Sequence, residues 1–473
     1  MIESTGVIQI RDKIIKREIT SVEVVKALIN NIEKFNDRYN AIVTMDKEDI
    51  LNQAKKMDKV LLEGNDPGLL HGIPFTIKDM YRTKNIRTTN GCIKLKNFIP
   101  EEDADVVTRL KKAGAIILGK TNLPKMGMDT QTENKLFRRT LNPWNIAYTP
   151  GGSSGGEAAA IASGMSLAGI GSDVGGSLRI PAHYCGVCSI KPTEGMVSNE
   201  GLMLPGKVNT LLHMVGTGPM ARNPEDLKLI LEVISNNTKK FKEPENMISS
   251  NADKELKIGW IDGFNNLDVE NSYRKLINNF INILNSNHIK TENSFPNIEL
   301  KSLWNTYGQL FGMMALSELP WIIRKVISTL SFTFKDEISR SFAKGATSAV
   351  LDYFKIIELR KEFITILDNY FDNYDALIMP VTSSPAVLHR KSMKIHTPIN
   401  VNKKNIPGNI AVTGFTSIFN LTGHPVVTIP IGLSHDGLPL GIQIISRLGD
   451  DYRLLDISSK LFKFTNGFQL AQN

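Results

Sequence analysis

Cysteine is scarce in this 473-residue chain: there are three, Cys92, Cys185 and Cys188. That is too few for a disulfide framework, so the fold must rest on a buried core, and a reducing cytoplasm is the expected compartment. No uncharged apolar run reaches the roughly 18 residues a membrane span needs, and Met1-Ile-Glu-Ser-Thr5 lacks the basic and apolar regions of a secretory signal. Membrane contact is therefore not expected. No block of lysines and arginines is interleaved with aromatics; the 56 basic and 48 acidic side chains leave a net charge of +8 spread over the chain. A nucleic-acid partner is not expected. The eight histidines form no constellation, and Cys185-x-x-Cys188 has no second pair to complete a zinc site. No metal and no cofactor are expected, and the two cysteines are read as packing residues.

What is present is ordinary globular composition, 41% hydrophobic and 22% charged. Thr20-Ser-Val-Glu23 has capping-box spacing, and Val24, Val25, Leu28, Ile29 and Ile32 follow at helical spacing. The spacing predicts amphipathic helices here, over 48–62 and over 104–112. Short apolar runs at 69–78, 115–118, 256–261, 376–380, 425–430 and 437–444 predict strands buried on both faces, hence α/β architecture. The polar stretch 236–253 is the best candidate for a loop or soft boundary.

The chain is organised around 150–179. Pro150-Gly-Gly-Ser-Ser-Gly-Gly-Glu157 and Ser172-Asp-Val-Gly-Gly-Ser177-Leu-Arg179 flank an Ala-rich segment, 157–166, that reads as a buried helix. Glycine pairs let the backbone approach a ligand and leave N–H groups free for one oxygen, as an oxyanion hole requires. Ser153 and Ser177 are placed to converge. Two other motif matches are weighed against this. Gly114 to Thr121 fits GxxxxGK[ST], but its variable positions are themselves an apolar strand, so no phosphate loop is expected. Gly151-Gly-Ser-Ser-Gly155 fits G-x-S-x-G, yet no strand directly precedes it and His389, His396, His424 and His435 lie in no histidine-loop context; a hydrolase elbow stays a minority alternative. Lys78 ends a strand of buried type. Burial disfavours an ammonium and can leave a usable neutral base, while snorkelling or pairing with Asp79 is the plainer alternative.

Four segments together, the two loops above with Ile180-Pro181, Cys185-Gly-Val-Cys-Ser-Ile-Lys-Pro-Thr193 and Gly72-Ile-Pro-Phe-Thr-Ile-Lys-Asp79, resemble the amidase signature family. The resemblance covers most of the chain and is weakest over about 235–370. It implies one α/β/α sandwich with a mixed central sheet over 1–473, with core motifs within 70–222. Carried over position by position, it places the nucleophile on Ser177, a bridging serine with a cis peptide on Ser153 and the base on Lys78. It further implies an oxyanion hole from the N–H groups of Val174, Gly175, Gly176 and Ser177. Ser154 is expected to support by hydrogen bonding, and Asp173 and Arg179 to brace the second loop as a buried pair.

The implied activity is hydrolysis of a small-molecule carboxylic amide through an acyl-enzyme. Acyl transfer to an amine is the alternative, as is the role of a glutamine-amidotransferase A subunit. That branch carries an Asp for glutamine shortly before its Asn-Leu-x-Gly segment, where this chain has Thr413 ahead of Asn420-Leu-Thr-Gly423. Lys125 stands where family members often have an acid. The pocket is expected from 120–150, 200–215 and 300–350. The apolar stretch 310–330 is open to three readings: helices on the core, a lid, or a membrane-surface patch. A homodimer is left open.

Overall fold

The computed structural model describes residues 5–203, 213–236, 256–392, 394 and 396–471. The loop or boundary expected over 236–253 falls, beyond Asn236, outside the described residues, as does most of the 200–215 pocket segment.

The helix Ser21–Tyr39, second in the chain after Val7–Ile15, starts as its sequence predicts. Glu23 N–H donates to Thr20 Oγ1 at 3.1 Å and Thr20 N–H returns a bond to Glu23 Oε2 at 2.7 Å, satisfying two orphan donors. Its apolar face, Val24, Val25, Leu28, Ile29 and Ile32, is buried, and the helix Lys47–Leu62 packs beside it.

The core is one eleven-stranded mixed sheet flanked by helices. Its spatial order is Ile42–Thr44, Ile116–Thr121, Pro74–Lys78, Ala168–Asp173, Gly216–Ala221, Cys188–Lys191, Val426–Leu433, Pro439–Ile445, Ala376–Pro380, Lys257–Trp260 and Lys290–Asn293. Pro74–Lys78 runs parallel to both neighbours, with Lys78 opposite Thr121, while the middle strands are antiparallel. Ile116–Thr121 is a wholly buried strand, so the phosphate-loop match is accidental. Lys120 Nζ is spent on Tyr81 O and on Thr83 and Thr88 Oγ1.

The helix Gly155–Ala162 is buried at every position and lies against strand backbone. A Cβ on Gly156 would stand 2.5 Å from the backbone N and O of Asn122. Glycine is thus what allows this approach. The helix and the returning strand Ala168–Asp173 carry the two glycine-serine loops to the same end of the sheet.

The 310–330 stretch divides. The helix Leu300–Leu316 buries Leu303, Trp304, Tyr307, Leu310 and Met314 and packs closely on Glu337–Gly345. The crossing is tight because Gly308 and Gly312 face backbone; a Cβ would sit 2.4 Å from Ile338 O and 2.0 Å from Phe342 O. The helix Trp321–Thr329 buries none of its residues, and Trp321 and Ile322 are 56% and 75% exposed. Among the described residues no helix is long and apolar enough to cross a membrane.

Substituting Gly156→Ala forces the helix off the Asn122 backbone. A destabilisation of about 1–3 kcal/mol, read as a lower urea midpoint at unchanged slope, is the expected outcome.

Candidate active site

Lys78 closes the buried strand Pro74–Lys78, and its side chain is fully buried. Its Nζ lies 2.7 Å from Ser153 Oγ, 3.0 Å from Ser154 Oγ and 3.0 Å from Ser172 Oγ. It neither reaches solvent nor pairs with Asp79, whose carboxylate instead accepts from the N–H and hydroxyl of Thr89. Desolvation brings the Lys78 amine down to about 7, against the opposing pull of Asp173 and Glu157. Glu157 is buried too, held by Thr76 and Thr121 hydroxyls, and burial pushes its carboxyl up to about 7. A neutral amine among three hydroxyls can donate to two and accept from the third. That is the arrangement a proton acceptor for Ser153 requires.

The peptide bond Gly152–Ser153 is cis, as the family resemblance implies. The hydroxyls of Ser153 and Ser177 are not hydrogen-bonded to one another in the described structure. What ties the two loops is backbone: Ser154 N–H donates to Ser177 O at 3.2 Å. Ser153 Oγ lies next to Gly127, which together with Ser177 lines the adjoining cavity.

The second loop is held by a fully paired ionic cluster. Asp173 and Arg179 are both buried, bonded at 3.0 Å from Nη2 to Oδ1 and from Nε to Oδ2. Arg179 also donates to Thr416 O, Gln443 Oε1 and Asn420 Oδ1. Burial alone would raise the Asp173 carboxyl, but Arg179, Asn420 and the Leu178 N–H hold it well below the usual carboxylate range. Asp173 Oδ1 also takes the Gly176 N–H at 2.7 Å. The family resemblance implies four N–H donors in this loop. Gly176 is spent on Asp173, whereas the N–H groups of Val174, Gly175 and Ser177 have no protein acceptor among the described residues.

A cavity of about 280 Å³ opens beside Ser177. Its apolar wall is Val174, Tyr307, Phe311, Phe334, Ile338 and Phe342, with Asp129, Ser339, His396, Asn409 and Thr413 as polar lining. Its titratable side chains are engaged: Asp129 with Arg390 at 2.5 Å, His396 with Asp336 at 3.5 Å, and the Tyr307 phenol with Val174 O at 3.0 Å. Thr413 does border the cavity, its hydroxyl on Asn409 O at 2.8 Å. Lys125 is exposed and not part of the wall. The contributions of His396 and Asn409 were not expected from sequence, and neither were Ser172 on Lys78, Asn420 on Asp173 or Tyr307 and Thr416 on the second loop. Ser172 and Asn420 sit inside quoted motifs, but nothing in spacing alone marks which hydroxyl or amide points inward. The cysteines pack as expected, Cys185 against Pro150 O and Cys188 against Arg222 O, with both thiols pushed up by burial.

The α/β sheet thus encloses a buried lysine bonded to serines, beside a loop with unspent N–H groups, and a basic amine, hydroxyls and free N–H donors are the groups that nucleophilic acyl chemistry uses. Residues 23–455 match the family model described as Amidase, and the chain belongs to that family, the amidase signature enzymes. It is 34% identical to the A subunit of glutamyl-tRNA(Gln) amidotransferase from Carboxydothermus hydrogenoformans, covering 95% of each chain. Against its namesake in Listeria monocytogenes identity is 32%, over 98% of this chain and 96% of that one. A bacterial aryl acylamidase of the amidase signature family superimposes with a TM-score of 0.82 at 22% identity, covering 98% of this chain and 96% of the other. The glutamyl-tRNA(Gln) amidotransferase A subunit of Thermotoga maritima gives 0.77 at 24% identity, covering 100% of this chain and 98% of that one. These superpositions bear on the fold.

Arg179→Ala leaves the Asp173 carboxylate buried without its cation. A loss of about 3–5 kcal/mol is expected, read as a lowered or missing unfolding transition. Wild-type stability in that variant would remove the pair as a brace.

Proposed function

We propose that this protein cleaves a carboxamide C–N bond through an acyl-enzyme on Ser177. The observation that carries the proposal is the fully buried Lys78 Nζ, 2.7 Å from Ser153 Oγ and with its amine brought down to about 7. In this reading neutral Lys78 takes the Ser153 proton while Ser153 takes that of Ser177, and Ser177 Oγ bonds to the amide carbon. The oxyanion rests on the N–H groups of Val174, Gly175 and Ser177, one such donor being worth about 3 kcal/mol. The proton then returns from Lys78 through Ser153 to the leaving nitrogen, the C–N bond breaks, and water or an amine releases the acyl group. Ser154 and Ser172 hold the Lys78 amine in place, and Asp173 with Arg179 holds the second loop.

Which amide is cleaved divides two readings. The full-length likeness to amidotransferase A subunits favours the amidotransferase alternative over a stand-alone hydrolase: the amide is glutamine's, the nitrogen goes to an acceptor, and further subunits complete the enzyme. The cavity favours the second reading, hydrolysis of an amide with an apolar acyl part. Its described lining is largely aromatic and aliphatic, and Asp129 and His396 in it already have partners, which leaves neither of them for the ammonium and carboxylate of an amino acid. Ammonia release from L-glutamine at ten or more times the rate of cleavage of an apolar anilide supports the first; the reverse order supports the second.

Two outcomes test the shared chemistry. A fluorophosphonate probe is expected to label the wild type and not Ser177→Ala, and Lys78→Ala is expected to abolish labelling near neutral pH; full labelling of either variant would sink the proposal. The wild-type labelling rate should rise with pH through about 7, because the amine must be neutral to accept a proton and is protonated below that value. Ionisation of Glu157 in the same range favours the ammonium and broadens the rise. A rate flat from pH 5.5 to 8.5 would contradict the assignment of Lys78 as base.

A further inference from the structure

Two carbonyls of the second loop are clamped by side chains from distant parts of the chain. Tyr307 Oη, on the helix Leu300–Leu316, donates to Val174 O at 3.0 Å, and Thr416 Oγ1 donates to Gly175 O at 2.8 Å. In a trans peptide the carbonyl and the following N–H point to opposite sides, so a clamp on one aims the other. The Thr416 clamp on Gly175 O is accordingly accompanied by the Gly176 N–H on the opposite side, bonded to Asp173 at 2.7 Å. The same rule makes the Tyr307 clamp on Val174 O set the direction of the Gly175 N–H, which has no protein acceptor among the described residues.

Tyr307 is closely fitted to this task. A Cβ on Gly175 would lie 2.6 Å from the Tyr307 oxygen, so glycine is what lets the phenol reach the loop. Burial raises the phenol above its ordinary value, which keeps it protonated and a donor across the usable pH range. The ring is also part of the cavity wall, in aromatic contact with Phe311 at a centroid distance of 6.0 Å. One side chain therefore touches both the space a substrate fills and the loop that receives the developing charge.

We infer that Tyr307 is a positioning residue for the Gly175 oxyanion donor, linking occupancy of the aromatic cavity to the aim of that N–H. The inference rests on the amide-cleavage reading of Ser177. The chemical class it favours is an acyl group bulky and apolar enough to press against Tyr307 and Phe311, since only such a group would hold the helix against the loop.

Labelling by a fluorophosphonate with an apolar chain tests this without knowledge of the natural substrate, because the phosphonyl oxygen occupies the place of the oxyanion. Tyr307→Phe keeps the ring and removes the clamp. Losing a donor outright costs about 100- to 1000-fold, so mis-aiming one is expected to lower the maximal labelling rate about tenfold. Half-saturation by the probe should stay within about twofold and the melting temperature should be unchanged. Tyr307→Ala, which also opens the wall, should raise the half-saturating concentration as well. A Tyr307→Phe maximal rate equal to wild type overturns the inference. So does a changed half-saturation at unchanged maximal rate, which would mean the hydroxyl holds the probe and not the loop. Ser177→Ala separates the two levels: if it is still labelled, the amide-cleavage reading fails, whereas an unlabelled Ser177→Ala beside an unaffected Tyr307→Phe defeats the inference about Tyr307 alone.

Discussion

A primary amine taken wholly out of water is the constraint on which the rest of this structure depends. Full burial of an ammonium costs several kcal/mol, and three neutral hydroxyls do not repay it as a carboxylate would. The amine therefore moves toward its neutral form, and the sheet must supply walls dense enough to keep water away. Pro74–Lys78 is an interior strand, third from one edge of the sheet, with Ile116–Thr121 on one side and Ala168–Asp173 on the other. The helix Gly155–Ala162 lies close against it and brings the buried Glu157 near the amine.

The second loop is fixed by different means. Charge is kept there, not removed: the Asp173 carboxylate and the Arg179 guanidinium are both ionised and saturated with hydrogen bonds. Their partners Thr416, Asn420 and Gln443 come from the C-terminal part of the chain, more than 230 residues away in sequence. The two serine loops are thus set by opposite electrostatic solutions, one amine made neutral by dehydration and one ion pair stabilised by complete pairing. A site of this type needs the whole sheet, since its braces are drawn from both ends of the chain.

Much of this was legible in the sequence, and for identifiable reasons. Ser153, Ser177 and Lys78 were singled out by the family resemblance, whose glycine-rich and strand-end motifs are local in sequence. The capping box at Thr20 and the buried strand Ala376–Pro380 likewise need only a few neighbouring residues. The resemblance counts the Gly176 N–H among four donors, and it carries no sign that a carboxylate three residues earlier takes that N–H. Ser172, Tyr307, Thr416 and Asn420 were missed because their roles are contacts at long sequence separation. The 310–330 stretch resisted a single reading because it has two parts: a helix tied into the cavity wall and a helix, Trp321–Thr329, that buries nothing.

The most direct test of the account is the titration of the Lys78 amine itself, followed by NMR in protein labelled with nitrogen-15 at lysine side chains and assigned by comparison with Lys78→Met. Lys120 and Lys191, which burial brings to about 8, must be assigned in the same way. The account predicts that the Lys78 signal titrates near 7, with the neutral amine predominating above that pH. A Lys78 amine that remains an ammonium up to pH 10 would contradict it.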